Sequence, residues 1–372
     1  MHTISPLRYI KSAANLYISK NVLLWLFIVS LSLMVIIGLF DALETLRRVM
    51  AIPEATLSFV LELTLLRLPQ HILELLPFIT FLASLIALWR LNQMQEITAL
   101  RATGVSGGQL ALGIFITAII IGTASVFLLN PIAAVMNTRH TTLEERVLKR
   151  NHQRLSISST GFWLKETEGT SKTIFHAEAF SLNDRTFKQV TFYEFDLNDH
   201  FLKRVDAVNA KLLDGQWLLT NAREWNEGIT LKTYDALHRP TALTLEKIQR
   251  STIQPHQMPF WRIPAFIRQL QKNGMSSLTY EVYWHRLWAG IVLLGVMAVL
   301  AVGFCLPNPR HHATGRLIGI ALISGFTIHF FNNIIQAFGQ ADRLPAFFSA
   351  WIPPIITGLL GIGYLMHAEE SA

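Results

Sequence analysis

Val22 to Phe40 is a run of 19 residues without a charged side chain. As a helix rising ~1.5 Å per residue it is roughly 28 Å long, close to the thickness of a bilayer's hydrocarbon core. Comparable runs lie near residues 68–89, 109–129, 287–306, 317–338 and 346–366, which gives six candidate spans. The third run continues without charge to residue 136, and Pro131 is expected to mark its outer end. A chain that is 51% hydrophobic and 15% charged fits this reading and excludes an ordinary soluble enzyme. The first run is longer than a signal-peptide core, and no small-residue cleavage site follows it before Asp41. Leu7, Ile10, Ala14 and Tyr17 share one helical face, with Arg8, Lys11 and Lys20 around it, so an interfacial helix is expected before span 1.

Charge sets the orientation. Arg8, Lys11 and Lys20 precede span 1, Arg90 and Arg101 lie between spans 2 and 3, and Arg310 and Arg316 lie between spans 4 and 5. Short basic ends stay in the cytoplasm, so both termini are expected inside and the long segment 137–286 outside. The chain then divides into a membrane half (1–136), a soluble insert (137–286) and a second membrane half (287–372). The single cysteine, Cys305, can form no internal disulfide.

The insert reads as β. QVTFYEFDL (189–197) alternates, with Tyr193, Phe195 and Leu197 on one face. KTIFHAEAF, AKLLDGQWLLTNA and GITLKTYDAL are further strands, and Asp214-Gly215 is a two-residue hairpin signal. Turn clusters at Asn183-Asp184, Asn198-Asp199 and Asn226-Gly228 give the spacing of a sandwich or jelly roll. Residues 141–155 read as a helical stalk leaving span 3, and Pro264 to Lys272 as a short helix stopped at Gly274.

Few residues suggest chemistry. Gly104-Val105-Ser106-Gly107-Gly108 fits the G-x-S-x-G pattern of serine hydrolases, but that motif needs a strand before the serine, and here a polar helix precedes it. A glycine-rich turn between helices accounts for it better. No P-loop, H-E-x-x-H or paired Cys/His spacing occurs, and His311-His312 reads as a solvated pair. In span 2, Arg67, His71 and Glu74 share one face. Ionisable groups in a bilayer face a bundle interior and often mark a substrate path, although pairing at the outer interface would explain them as well. His329, Asn332, Asn333 and Gln336 form a stripe expected to make inter-helix hydrogen bonds. Arg47 and Arg48 close span 1 on the outer side. They could hold anionic lipid headgroups, snorkel, or pair with Asp41 and Glu44.

Between spans 2 and 3, the polar stretch 91–106 contains QEITALRATGVS. It resembles the coupling-helix motif of the lipopolysaccharide export permease family LptF/LptG, which runs serine, Glu, Leu, any, Ala, Leu, Arg, Ala, any, Gly, any, Ser. Glu96, Ala99, Leu100, Arg101, Ala102, Gly104 and Ser106 match, whereas Gln95 and Ile97 depart mildly. Arg8-Tyr9-Ile10, Pro69 with Pro77, Gly161-Phe162-Trp163, the stretch 263–274, Leu344-Pro345 and Ala350-Trp351-Ile352-Pro353 also look similar to the family. FDALETLRR (40–48) and WRIPAFIRQLQKNG are more like the LptG branch than LptF. Some relatives carry a lysine late in span 1. Gly38 stands near that place here, which leaves Arg47 and Arg48 as the nearest basic groups.

The resemblance implies an α-helical inner-membrane protein of six transmembrane helices plus a periplasmic all-β jellyroll domain. It implies a permease subunit without cofactor, the ATP being bound by a cytoplasmic ATPase dimer, LptB, that docks on the coupling helix, where Glu96 would face a basic group. Further implied partners are a second permease of LptF type, the single-span LptC and a periplasmic LptA-like bridge. No nucleic acid is expected. The implied substrate is lipopolysaccharide, its acyl chains passing along the jellyroll interior, for which Phe175, Phe192, Phe195 and Trp217 are lining candidates. The rival readings are an LptF-type subunit, a membrane-embedded lipid-modifying enzyme, and a proton-coupled carrier using His71 and Glu74.

Overall fold

The computed structural model describes residues 6–49, 57–147, 155–158, 161–168, 171–181, 186–196, 200–213, 215–226, 229–241, 254–272, 276–306 and 314–370. They form two compact units, one of residues 1–141, 256–260 and 278–372, the other of residues 142–255 and 261–277.

In the first unit, α1 (Pro6–Val49) and α2 (Leu57–Gln93) pack along each other. A short helix, α3 (Glu96–Ala102), leads into α4 (Gly107–Ala124), a π-helical turn (Ser125–Leu129) and α5 (Asn130–Val147). After the second unit, which includes α6 (Ile263–Lys272), come α7 (Leu278–Cys305), α8 (Thr314–Gln340) and α9 (Ala346–Glu370). Among the described residues six helical stretches are long and apolar enough to cross a membrane, and they fall where the charge-free runs are. The α7 helix is central, packed against α2, α4, α8 and α9.

Two boundaries differ from the sequence reading. The expected interfacial segment is not a separate helix, because α1 is continuous from Pro6 into the first span. Nor does the helix of the third span stop at Pro131. Proline lacks the N–H for an i→i−4 bond, but the wider π turn immediately before it lets the chain pass the ring and continue helical to Val147. The rest of the expected stalk, 148–154, lies outside the described residues, as do Asn183-Asp184, Asn198-Asp199, Gly228 and Gly274 among the turn signals and His311-His312.

Among the described residues the second unit has seven strands: β1 (Leu155–Ser158), β2 (Gly161–Glu168), β3 (Ser171–Ser181), β4 (Thr186–Asp196), β5 (Phe201–Leu213), β6 (Gln216–Asn226) and β7 (Ile229–Pro240). Each pairs antiparallel with the next, in sequence order. Leu213 pairs with Gln216 across the two-residue turn expected at Asp214-Gly215, where Gly215 takes φ 78°. This is the all-β domain expected between spans 3 and 4.

The sheet is folded over on itself. Strands in a flat sheet lie ~4.8 Å apart, which would separate β3 from β6 by roughly 14 Å. Yet the Phe175 ring on β3 stacks on Trp217 of β6 with centroids 5.0 Å apart. Across the sheet runs a transverse crease. On one side Val190, Ala207 and Ala222 point inward in register; on the other, Phe187, Ala210 and Leu219 do. These rows are three residues apart, an odd step that would reverse the face in a regular strand. On β4 and β6, left-handed residues at Gln189 (φ 50°) and Asn221 (φ 53°) lie between the two rows and absorb the reversal.

Candidate functional site

The polar stretch after span 2 is built around two left-handed residues. Gln95 (φ 60°) is the residue that opens α3, and Gly104 (φ 86°) turns the chain after it. Ile97 and Val105 are buried in the core of the helical unit, and Leu100 packs against that core from its edge. Thr98, Ala99, Ala102 and Gly104 are exposed, while Glu96 and Arg101 are half-buried. The segment is thus held by its apolar side and presents a small-residue face. Glu96 and Arg101 make no ion pair among the described residues. Ser106 is a helix N-cap: its Oγ accepts from the Gln109 N–H at 3.2 Å, and no strand precedes it. That disposes of the hydrolase pattern. The neighbouring Gly108 N–H donates to Glu369 Oε1, at 3.1 Å, from the last turn of α9.

The charged residues expected along a substrate path separate into groups. Asp41 is only 7% exposed. Its Oδ1 accepts from Arg67 Nη1 at 2.9 Å and lies 3.6 Å from His71 Nε2, tying α1 to α2. Its Oδ2 is buried without a partner among the described residues. Arg48 pairs with Glu44, one turn earlier, and Arg47 is exposed with no ion pair among the described residues. Glu74 does not join the cluster. It is exposed in the helical unit and accepts from Gln70 Nε2 at 2.7 Å, and Gln70 in turn accepts from Asn137. Glu74 instead opens onto a cleft between α2, α7, α8 and α9, together with Tyr283, Arg286, Asn332 and Gln336. The hydrogen bonds expected between helices along the α8 stripe run within it: Gln336 donates to Asn332 at 3.0 Å, and Asn333 lies 3.2 Å from His329.

In the β domain, Phe175, Phe192 and Trp217 are buried together with Phe187. Phe195 stands apart from that cluster, half-buried beside Phe201. Charged side chains clasp the fold. Arg239 of β7 reaches Glu194 of β4 (2.7 Å) and Thr173 of β3 (3.0 Å), with its guanidinium over the Phe192 ring. Lys203 bonds Glu224 at 3.0 Å, and that bond holds the Glu224 carboxyl below its ordinary pKa. Among the described residues no group of three His, Cys, Asp or Glu side chains is placed to hold a metal.

Sequence reasoning missed Asp41 as the partner of Arg67, Arg239 as the clasp, and Glu369 altogether. Asp41 carried a signal, since a carboxylate at the end of an apolar run needs a partner. The other two carried none, because their contacts come from distant strands and helices.

Six apolar helices interrupted by a β domain, with a helix too short to span set between the second and third of them, describe a multi-pass membrane protein. The chain belongs to the LptF/LptG family: the family model "Lipopolysaccharide export system permease LptF/LptG" matches residues 16–367. It is similar to the lipopolysaccharide export system permease protein LptG of Haemophilus influenzae, with 22% identity over 351 residues, covering 91% of this chain and 94% of that protein.

Proposed function

We propose that this chain is the LptG-type permease subunit of an ATP-driven exporter that extracts lipopolysaccharide from the inner membrane. The α3 helix carries this reading. It is anchored by Ile97 and Val105, exposes small side chains and leaves Glu96 without an ion-pair partner among the described residues, which suits a rigid docking element for a cytoplasmic ATPase dimer of LptB type. One carboxylate against a basic group fixes the register of such a contact. ATP is bound and hydrolysed in that partner, and this subunit needs no cofactor. The basic ends of the spans support cytoplasmic termini and a periplasmic β domain. A second permease of LptF type, the single-span LptC and an LptA-like periplasmic bridge complete the route. Arg47, with Arg67 near the same end of the helices, supplies cationic groups for lipid phosphates, and His71 lies beside them. The aromatic interior of the folded sheet, in its periplasmic jellyroll role, supplies the apolar surface for acyl chains, whose burial is favourable by ~25 cal/mol per Å².

The test is purification from native membrane with partner chains identified by mass, alongside Glu96→Lys. An ATPase and a second, similar permease are expected with the wild type, and reduced ATPase retention with Glu96→Lys. Full retention and normal ATP-driven export in Glu96→Lys would overturn the docking reading. The branch of the co-purified permease decides between LptG and LptF.

A further inference from the structure

The first turn of any helix leaves backbone N–H groups without intrahelical partners. At the start of α4 two of them are taken by side chains of different origin. Gln109 N–H is capped by its neighbour Ser106, whereas Gly108 N–H is capped by Glu369, 261 positions away in the last turn of α9. A carboxylate at a helix N-terminus is favoured by the helix dipole, and its hydrogen bond is charge-assisted. The approach is close. A Cβ on Gly107 would lie 3.0 Å from Glu369 Oε1 and 2.7 Å from Leu306 Cδ1, just beyond α7. The start of α4 and the ends of α7 and α9 therefore converge at the α3–α4 turn, and Arg101, Gly104 and Ser106 share one open groove with Met366, Glu369 and Glu370.

We propose that Glu369 is a positioning residue that ties the α3–α4 turn to α9, so that a push on α3 reaches the second half of the helical unit. The proposal rests on the docking reading of α3. The covalent path from α3 to α9 runs through the whole β domain, so it cannot carry a rigid displacement directly. Apolar helix faces can slide past one another by small shifts. A bond from one carboxylate to one N–H has a single register, and it sits at the end of the helices where the partner would pull. Since α9 packs along α7, motion received by Glu369 is shared with the central helix.

The experiment uses the complete exporter in lipid nanodiscs and reads three quantities: ATPase subunit retained, ATP hydrolysed, and lipopolysaccharide released per ATP. Glu369→Ala is expected to retain the ATPase and to lower release per ATP by about tenfold, the factor given by a net loss of about 1.4 kcal/mol. Glu369→Gln, which keeps an acceptor oxygen, is expected to recover most of that loss. A merely structural residue would lower yield or thermal stability and leave the ratio unchanged. A wild-type ratio in Glu369→Ala, or a deficit that only follows complex yield, overturns the proposal. If Glu96→Lys also leaves retention and export intact, it is the docking reading of α3 that has failed; if Glu96→Lys uncouples and Glu369→Ala does not, only the tie through Glu369 has failed.

Discussion

Phe175 and Trp217 lie on strands that are not neighbours, yet their rings stack with centroids 5.0 Å apart and an interplanar angle of 16°. This contact closes the folded sheet around its aromatic interior, and Trp217 is among the largest fully buried side chains, at 1% exposure. Trp217→Ala should therefore destabilise the β domain by about 3–5 kcal/mol, as large aromatic-to-alanine core changes do. Phe195→Ala, outside the cluster, should cost much less. Denaturant midpoints of the two variants in detergent would decide; equal midpoints would mean that the interior is not the main source of the domain's stability.

The same geometry makes a prediction about substrate. A photo-cross-linking residue at Phe192, which faces the interior, should capture lipopolysaccharide when ATP is supplied to the complete exporter. One at Phe195 should not. Capture at neither position would make the domain a docking scaffold with the lipid passing elsewhere.

Asp41, buried, and Arg67, half-buried, offer a test of the ion pair that ties α1 to α2. Removing Arg67 leaves the Asp41 carboxylate buried with only His71 beside it, a loss smaller than that of a fully buried pair. Arg67→Ala should be destabilising, and the double variant Asp41→Ala/Arg67→Ala should be more stable than Arg67→Ala alone. Thermal unfolding of the three proteins would show it, and simple additivity would mean that the pair is not coupled.

Glu224 should make the β domain acid-sensitive. Its folded pKa is held below the ordinary carboxylate value, first by the hydrogen bond from Lys203. A carboxylate depressed in this way contributes stability that is fully present above the unfolded pKa, about 4.3, and lost as pH falls through the lower folded value. The midpoint of wild type should hold from neutral pH down to about pH 4.3 and fall below it, and Glu224→Gln should show a shallower fall. Identical acid slopes would remove Glu224 from the explanation.

Ser106 caps α4 and does no covalent chemistry in this reading. Ser106→Ala should cost roughly 1 kcal/mol of local helix stability and leave export largely intact. Complete loss of function in a fully assembled complex would restore the hydrolase interpretation of G-x-S-x-G.

The six spans were legible because a charge-free run such as Val22–Phe40 has few physical solutions: its backbone must satisfy its own hydrogen bonds in lipid, and the helix does so locally. The turn at Gly215 and the helical setting of Ser106 were legible for the same reason, since each depends on a few consecutive residues. Period-2 alternation marked the strands but not their inner faces. A left-handed residue such as Gln189 or Asn221 reverses the pleat, and nothing in the pattern announces it. Likewise the spacing of Arg67, His71 and Glu74 placed all three on one face, while the choice of Asp41 as partner for two of them, and of the cleft lined by α7, α8 and α9 for the third, belongs to the packing of α1, α7 and α8 around α2. Local chain geometry settles the period of each element. Only tertiary structure brings together residues as distant as Gly108 and Glu369, because their meeting depends on how helices made elsewhere in the chain come to lie side by side.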